Sequence, residues 1–545
     1  MTDFKAGFNP FGKLTYLIID DFENFRLSMR QMLRSCGADK IELVAHANQA
    51  IQYCTYNHAD VVLCDFNLGE GKNGQHILEE LRHKKLLKRS SLFLMVTAET
   101  SKEMVMGARE NQPDAYLTKP INRAVLEKRI GSLINQRNAL MPINREIDRE
   151  NYPEAISLCL QALPRQPRYK TWLMKTLGDL YFRLGDLAHA LKVYDDVLAQ
   201  RELSWAKLGR CKVLLANRSF DAAVDGLREL IARHPDYMEA YDLLAEGLER
   251  QGRPTQAQQI LEQAAQHSPN ALLRQKHLAE LADSNQDMDT ASDAWRRTVQ
   301  LGTYSIHDNS QHYLALGQTL SDLSEGDLDE EGAGRAKEAL AVLRKMEKRF
   351  AEEEGIAVRS QIIQCRVYAG QGQNQQAAKM LQTIRPELEN TAALDAQTGL
   401  DYAKTLFRMN HETEAKQLLA DMAERFSDDP DTMRQIESLL DEPVGFRQKI
   451  KARTLNRNGI RAFESGNLQE AANTFTEALK IVPDHASLNL NLVQVLMKEY
   501  DSNPGKTDLL RRCQTCLDRL SKLPEQHRQH RRYIALQRKL KGLTE

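Results

Sequence analysis

Polar residues follow four short apolar runs near the N-terminus of this 545-residue chain. Asp20 and Asp21 follow the first run, Asp65 the second, Thr97 the third and Lys119 the fourth. If these runs are strands of an open α/β sheet, the residues at their carboxyl ends meet in one crevice. Three carboxylates crowd together only when a cation offsets their repulsion, so a metal ion is expected beside them. Acids, a hydroxyl and an ammonium group in one crevice suit a phosphoryl group and its metal.

Taken singly, each of these residues has a simpler interpretation. An aspartate after a strand is commonly the N-cap of the next helix, and a lysine commonly extends along apolar surface into solvent. Their joint spacing therefore carries the phosphoryl-site hypothesis.

The elements that must position these residues are short apolar runs separated by helical patterns. The strand-like runs cover residues 14–19, 41–45, 61–64, 92–96 and 115–117. Continuous apolar and β-branched runs are typical of strands buried on both faces of a parallel sheet. Five βα units in succession predict an α/β doubly wound, flavodoxin-like domain.

With these residues in place, residues 13–135 resemble the receiver domain of two-component response regulators. The resemblance implies that Asp65 is the phosphoacceptor, which attacks a phosphohistidine on a sensor histidine kinase or phosphotransfer protein. It implies that Asp20, Asp21, Asp65 and the backbone carbonyl of Asn67 hold Mg²⁺. A receiver-mediated dimer is compatible with the resemblance.

The same resemblance assigns the switch residues. Lys119 would neutralise a phosphoryl oxygen and Thr97 would hydrogen-bond another, while Tyr116 would move inward with the threonine. Pro120 matches the family's usual cis-proline position. The alternative for Tyr116 is a half-buried strand aromatic.

Two further positions, Asn67 and Glu99, tune in this family how easily water reaches the acyl phosphate. Polar side chains at both predict an acyl phosphate that lasts seconds to minutes. The loop from Asp65 to Gly74 departs from the family's usual form, since it lacks a Met-Pro pair and is one residue longer.

Beyond residue 135 the strand signal disappears and helical periodicity continues to the end. Ala223, Ala257 and Ala291 are 34 residues apart, and the chain resembles tetratricopeptide (TPR) repeats, which have that period. Small, aromatic and terminal residues of the motif are matched by Gly178, Tyr181, Gly185, Ala190 and Tyr194, and by Gly459, Gly466, Ala471, Phe475, Ala478 and Pro483. The expected fold after the receiver is an all-α TPR solenoid.

The expected organisation has five segments. They are an N-terminal tail (1–12), the receiver (13–135), a first TPR arc (136–310), a degenerate TPR-like region (311–440) and a C-terminal TPR with basic capping helices (441–545). The receiver's last helix is expected from Asn122 to about Ala139, with Pro142 marking the join to the array. The segment 439–444, which contains Pro443, is a candidate hinge between two arcs.

If the array follows the usual motif geometry, the first helix of each repeat lines a concave groove. The polar residues expected there are Lys175, Arg183, Lys212, Glu239, Asp242, Glu246 and Glu249. Basic residues precede acidic ones along the chain, so the groove suits an extended or helical partner segment of mixed charge. The alternative is that these are ordinary solvated positions.

Composition narrows the function classes. A formal net charge of -1 gives no global attraction to nucleic acid, and no apolar stretch reaches the roughly 20 residues of a membrane span. A cytoplasmic protein with no membrane partner is expected. Six of the eight cysteines replace apolar residues in periodic segments and are expected to be reduced core thiols: Cys36, Cys54, Cys64, Cys159, Cys211 and Cys365. For the Cys513/Cys516 pair, two residues of one helix face are preferred over a zinc site or redox chemistry.

Three functions remain open. The favoured one is a response regulator that does not bind DNA and whose phosphorylation controls an unknown protein partner of the TPR groove. The second is a constitutive scaffold whose receiver docks a kinase or drains its phosphoryl groups. The third is a nucleic-acid-binding regulator acting through the basic segment 511–541, for which a solvated capping helix is the preferred reading. Apart from self-phosphorylation of Asp65 and hydrolysis of that bond, no enzyme activity is expected.

Overall fold

The computed structural model describes residues 9–98, 113–388, 394–441, 446–502, 507–521, 523 and 529–544. The chain divides into two compact units, Met1–Asn309 and Ser310–Glu545. The first unit holds a parallel sheet with its helices and the beginning of a helical array, and the described part of the second unit is helical. Among the described residues, no helix is both long and apolar enough to cross a membrane.

The sheet is parallel throughout. Its strands are β1 (Thr15–Ile19), β2 (Lys40–Val44), β3 (Val61–Asp65), β4 (Leu92–Thr97) and β5 (Ala115–Thr118), in the spatial order β2-β1-β3-β4-β5. The central strand β3 is buried along its whole length, as its apolar run requires. The chain places β2 on one side of β1 and β3 on the other side. This reversal is that of a doubly wound sheet, so the predicted fold is confirmed.

Helices cover both faces of the sheet because alternate strand residues point to opposite sides. They are α1 (Glu23–Ser35), α2 (Ala47–Tyr56), α3 (Gly74–His83) and α4 (Arg123–Asp148). One core joins Tyr16 and Ile18 of β1 to α1 and α4, and the other joins Leu17 and Ile19 to α2 and α3.

Helix α4 is longer than expected. The sequence predicted an end near Ala139 and a break at Pro142, but the helix runs to Asp148 with Pro142 inside it. Proline removes one helical hydrogen bond. The apolar face on both sides of Pro142 packs against α5 (Tyr152–Arg165), and this burial outweighs the missing bond. The last helix of the sheet domain is therefore also the first helix of the array.

The array of the first unit continues as antiparallel helix pairs. After α5 come α6 (Lys170–Arg183), α7 (Leu187–Gln200), α8 (Ser204–Ala216), α9 (Phe220–Arg233), α10 (Met238–Arg250), α11 (Pro254–His267), α12 (Leu272–Asn285) and α13 (Met288–Gly302). The unit ends at Asn309, one residue from the expected end of the first arc at 310.

Helices cross at two of the predicted small positions, Gly178 and Gly459, and also at Gly209. A Cβ at Gly178 of α6 would lie 2.6 Å from the ring of Tyr194, and one at Gly209 of α8 would lie 2.4 Å from the same ring. The pairing recurs in the second unit, where a Cβ at Gly459 would lie 2.7 Å from Phe475. Only glycine lets these helices approach each other around the aromatic ring.

The second unit contains the remaining described helices. They are α14 (Ser310–Leu323), α15 (Glu330–Arg349), α16 (Ile356–Gly370), α17 (Asn374–Leu388), α18 (Ala396–Arg408), α19 (Glu412–Arg425), α20 (Pro430–Asp441), α21 (Phe446–Glu464), α22 (Leu468–Ile481), α23 (Ala486–Ser502), α24 (Thr507–Arg519) and α25 (His530–Thr544). Cys513 and Cys516 lie buried on the inner face of α24, as expected for two residues of one helix face.

The expected hinge at 439–444 does not coincide with the boundary between the compact units, which falls after Asn309. Helix α20 continues through Leu439 to Asp441, because Leu439 is buried in the core formed by α16 to α20. Residues 442–445, including Pro443, lie outside the described residues.

Candidate functional site

Three aspartates meet at the carboxyl edge of the sheet. Asp20 and Asp21 follow β1, and Asp65 is the last residue of β3, the neighbouring strand. One carboxylate oxygen from each lies within 4.8 Å of the others. Asp20 is 1% exposed and Asp65 is 7% exposed, so two of the three charges are held out of water.

Lys119 lies between two of these acids. It follows β5, and its Nζ donates to Asp20 Oδ2 at 2.9 Å and to Asp65 Oδ2 at 3.0 Å. The same Nζ lies 4.1 Å from the centre of the Phe25 ring of α1, a cation–π distance. The Lys119–Pro120 peptide bond is cis, as the resemblance implied.

The electrostatics of the cluster follow from burial. Burial raises the pKa of Asp65, and the nearby Asp20 carboxylate raises it further, while the hydrogen bond from Lys119 opposes both. Burial disfavours the Lys119 ammonium, but its hydrogen bonds to Asp20 and Asp65 outweigh that effect, so the pKa of Lys119 is raised. One ammonium group thus offsets only part of the charge of three carboxylates.

The residues of this cluster fit a metal ion. Asp21 Oδ1 is buried and has no hydrogen-bond partner among the described residues, which is costly for a carboxylate oxygen. A cation beside it would satisfy that oxygen and offset the remaining repulsion. The donor set consists of carboxylate oxygens, which hard divalent cations prefer. The cluster is therefore able to hold a metal ion.

Thr97, the last residue of β4, lines the same cleft as Asp21, Asp65 and Lys119, and the volume of this cleft is about 630 Å³. Asn67 also lines it, with its side-chain Oδ1 accepting from the N–H of Gly69 at 3.2 Å. Glu99 lies outside the described residues. The acid, hydroxyl and ammonium groups predicted from the strand ends do share one cleft.

Residues 16–131 match the family model described as response regulator receiver domain. The N-terminal domain is a receiver domain. It is similar to chemotaxis protein CheY-3 of Vibrio cholerae serotype O1, with 27% identity over 120 residues, which are 22% of this chain and 91% of the relative. Chemotaxis protein CheY of Pseudomonas aeruginosa is 27% identical over 122 residues, 22% of this chain and 97% of that protein.

Part of the helical region also matches a family model. Residues 208–272 match the family model described as tetratricopeptide repeat. A tetratricopeptide repeat protein of Parabacteroides merdae aligns with 46% of this chain and 91% of its own, at 14% identity and a TM-score of 0.29. MamA from Desulfovibrio magneticus RS-1 aligns with 30% of this chain and 93% of its own, at 21% identity and a TM-score of 0.27. The chain therefore combines an N-terminal receiver domain with tetratricopeptide repeats in its helical region.

The loop that follows β3 ends in a tight turn. A Cβ at Gly74 would lie 2.4 Å from the backbone oxygen of Asp65, so glycine is required where the loop returns to the strand. Asn73 then caps α3 by accepting from the N–H of His76 at 2.9 Å, and His76 Nδ1 accepts from the N–H of Asn73 at 3.2 Å. Sequence reasoning missed this capping box, because its third-position residue is histidine rather than Glu or Gln.

Tyr116, the expected switch aromatic, lies on β5 and packs partly buried against the core of α2 and α3. It also lines a second cleft, of about 1030 Å³, together with array residues that include Lys175, Glu239 and Asp242. The structure thus brings Tyr116 beside part of the expected TPR groove.

The expected groove residues are largely paired with the array itself. Arg274 of α12 holds Asp242 of α10 through two hydrogen bonds of 2.7 and 2.8 Å. Similar pairs join Lys212 to Glu239 at 2.5 Å, Glu249 to His277 at 2.5 Å, and Glu246 to Arg250 at 3.2 Å. Arg183 is exposed at the end of α6. Sequence reasoning missed the partners Arg274 and His277, although both follow their acids by roughly one repeat length.

Proposed function

We propose that this response regulator accepts a phosphoryl group on Asp65 and that phosphorylation controls protein contacts made by its TPR region. The observation that carries the proposal is the cleft that Asp21, Asp65, Thr97 and Lys119 line together, with Asp20 beside it in the acid cluster. The proposed protein donor is a sensor histidine kinase or a phosphotransfer protein.

In the proposed reaction, an Asp65 carboxylate oxygen attacks the phosphorus of a phosphohistidine. A phosphorus–oxygen bond forms, the phosphorus–nitrogen bond breaks, and the imidazole leaves. Asp20, Asp21, Asp65 and the Asn67 backbone would hold Mg²⁺, which when bound shields the incoming negative charge. Lys119 would transfer one of its hydrogen bonds from Asp65 to a phosphoryl oxygen.

Thr97 and Tyr116 would turn phosphorylation into a conformational change. Thr97 lines the acceptor cleft and would donate to a second phosphoryl oxygen. Tyr116 lies on the adjacent strand at the second cleft, so a change in its position would reach the array side of the receiver. The phosphoryl group can shift this equilibrium only by binding one conformation more tightly than the other.

Asn67 and Glu99 set the proposed lifetime of the acyl phosphate, since polar side chains at these positions orient the attacking water. We expect the acyl phosphate on the purified protein to have a half-life of seconds to minutes. Intact mass spectrometry over time measures its loss. The variant Asn67→Ala should lengthen that half-life. A half-life of many hours for the wild type would contradict the proposal.

The assignment of Asp65 as phosphoacceptor is tested by measuring the mass of the protein after phosphorylation. Full-length protein incubated with Mg²⁺ and phosphoramidate should gain one phosphoryl group, and Asp65→Asn should gain none. Beryllium fluoride, which mimics a phosphoryl group on an aspartate, then allows partner capture with and without activation. A partner set that changes in the wild type but not in Asp65→Ala supports phosphorylation-gated binding, whereas an unchanged set supports the constitutive scaffold.

The nucleic-acid hypothesis has less support from the fold. Helix α25, in the basic segment, packs Tyr533, Leu536 and Leu540 into the core of the last repeats, which fits a capping role. Arg532 donates to Asn491 and Gln494 of α23 rather than lying free. A steep salt dependence of RNA or DNA binding would reverse this assessment.

A further inference from the structure

One wall of the phosphoacceptor cleft comes from the TPR array. Asn270, Gln300 and Ser305 line the same 630 Å³ cleft as Asp65 and Lys119. Asn270 lies just before α12, Gln300 lies in the last turn of α13, and Ser305 follows that helix, all roughly two hundred residues from the acceptor in sequence. This wall is uncharged: its polar groups are two amides and a hydroxyl, and its other members are leucines.

Specific contacts hold this wall against the receiver. Ser305 Oγ donates to Glu79 Oε2 of α3 at 3.4 Å. The ring of His76 hydrogen-bonds the backbone of Leu301 near the end of α13. Because His76 Nδ1 already accepts from Asn73, the ring proton is assigned to Nε2, which donates to Leu301. His76 therefore joins the end of the acceptor loop to the array.

A second set of contacts fixes the other side of the array to the receiver. The backbone N–H of Arg89 donates to the Asp148 carboxylate at 2.8 Å, and Lys85 pairs with Glu150 at 2.7 Å. These contacts lie at the turn between α4 and α5, near the covalent junction. Compared with them, the His76 and Ser305 contacts are far from the junction along the chain, so they can separate while the junction stays intact.

We infer that α12 and α13 make the array a specificity determinant for the phosphoryl donor. A small donor such as phosphoramidate or an acyl phosphate enters the cleft directly. A phosphohistidine on a folded protein reaches Asp65 only after α12 and α13 separate from α3, because a 100-residue domain has a radius of gyration of about 13 Å. This inference rests on the proposed phosphoryl transfer to Asp65.

Access can be measured without phosphorylation. Thr97→Cys places a thiol inside the cleft, and Thr55→Cys places a matched thiol on the exposed surface of α2. Each full-length variant is labelled with a small methanethiosulfonate reagent and with a maleimide carried on a polyethylene glycol chain. Cys36 is half-buried and the other native cysteines are buried, so the unsubstituted chain supplies the background rate.

We expect the ratio of large-reagent to small-reagent rates to be lower for Thr97→Cys than for Thr55→Cys by roughly tenfold or more, because only opened molecules react with the large reagent. Adding His76→Glu should raise the ratio for Thr97→Cys. A glutamate can still accept from the N–H of Asn73 and so keeps the cap, but it cannot donate to Leu301. His83→Glu, an exposed substitution at the other end of α3, is the matched control and should leave the ratio unchanged. Equal ratios for the two cysteines would overturn the inference.

Phosphorylation provides the second measurement. The quantity compared is the phosphorylation rate with a phosphorylated histidine phosphotransfer protein divided by the phosphorylation rate with phosphoramidate. This quotient should be higher in His76→Glu than in the wild type and in His83→Glu. An unchanged quotient would overturn donor selection by the array. If the wild type accepts no phosphoryl group from either donor, the proposed phosphoryl transfer fails, and the labelling ratios still decide whether the array walls the cleft.

Discussion

At the scale of single residues, Lys119 brings a positive charge into the acid cluster. Its Nζ lies 2.9 Å from Asp20 and 3.0 Å from Asp65. The same two carboxylates would bind the metal ion. Lys119→Met removes a competing positive charge, so we expect Mg²⁺ to bind tighter by roughly tenfold. Isothermal titration calorimetry measures this affinity.

Lys72→Met is the matched control for that experiment. Lys72 pairs with Glu80 at 2.5 Å, and among the described residues it forms no ion pair with the three aspartates. Its removal should leave Mg²⁺ affinity within about twofold, since its charge is already offset. Weaker Mg²⁺ binding in Lys119→Met would show that the ammonium orders the cluster rather than competing with the metal.

His277 makes one contact of the array depend on pH. Its hydrogen bond to Glu249, at 2.5 Å, raises the pKa of His277 above the ordinary value of 6.5 despite burial. Because the folded-state pKa is the higher one, this stabilisation is complete below the unfolded value and is lost as pH rises through the folded value. Glu249→Gln should therefore lower the melting temperature below pH 6.5 and leave it unchanged at alkaline pH.

Glu246→Gln is the control for this pH dependence, because it removes the neighbouring acid whose partner is Arg250. Arginine stays charged across the whole range, so any small effect of this variant should not change with pH. A Glu249→Gln effect that persists above the pKa of His277 would contradict the assigned charge state.

At the scale of elements, the array depends on aromatic rings seated against glycines. Tyr194 of α7 packs between Gly178 of α6 and Gly209 of α8, where added Cβ atoms would lie 2.6 and 2.4 Å from the ring. Gly209→Ala should destabilise the first unit by about 1–3 kcal/mol, since the ring or a helix must move. Thermal unfolding and hydrogen exchange of α6 to α8 measure the loss.

A glycine-to-alanine substitution should have the opposite effect on stability at another position of the first unit. Gly131 is inside α4, and a Cβ there would meet the Phe11 ring at an ordinary distance of 3.8 Å. Gly131→Ala should be neutral or stabilising by up to about 1 kcal/mol, because alanine favours the helix. Comparable losses in both variants would mean that helix packing around Tyr194 tolerates a methyl group.

The elements also show how far sequence reasoning reaches. Asp20, Asp65 and Lys119 were predicted to meet because each follows an apolar strand, and strand ends of a parallel sheet share one edge. The extent of α4 was not predicted, since a proline inside a helix is judged from local propensity whereas burial against α5 depends on the fold. The hydrogen bond between Ser305 and Glu79 joins residues 226 positions apart, and no local sequence pattern encodes such a contact.

At the scale of the whole first unit, the receiver and the array share both a helix and a cleft. A phosphoryl group on Asp65 would place a dianion in the cleft that the beginning of α12 also lines. Unpaired N–H groups of a first helical turn favour an anion, so activation should stabilise the docked position of α12. With Mg²⁺ and beryllium fluoride, we expect slower hydrogen exchange at the amides of residues 272–275.

Asp65→Ala separates this effect from non-specific binding of the anion, because the mimic requires the aspartate and the variant should show no change. Thermodynamic linkage adds a reciprocal expectation: if activation favours docking, loosening the array must weaken the binding of beryllium fluoride by the same factor. His76→Glu should therefore raise the beryllium fluoride concentration needed for half-saturation, while His83→Glu should not. Faster exchange at residues 272–275 on activation would instead mean that the phosphoryl group expels the array, and His76→Glu would then bind the mimic more tightly.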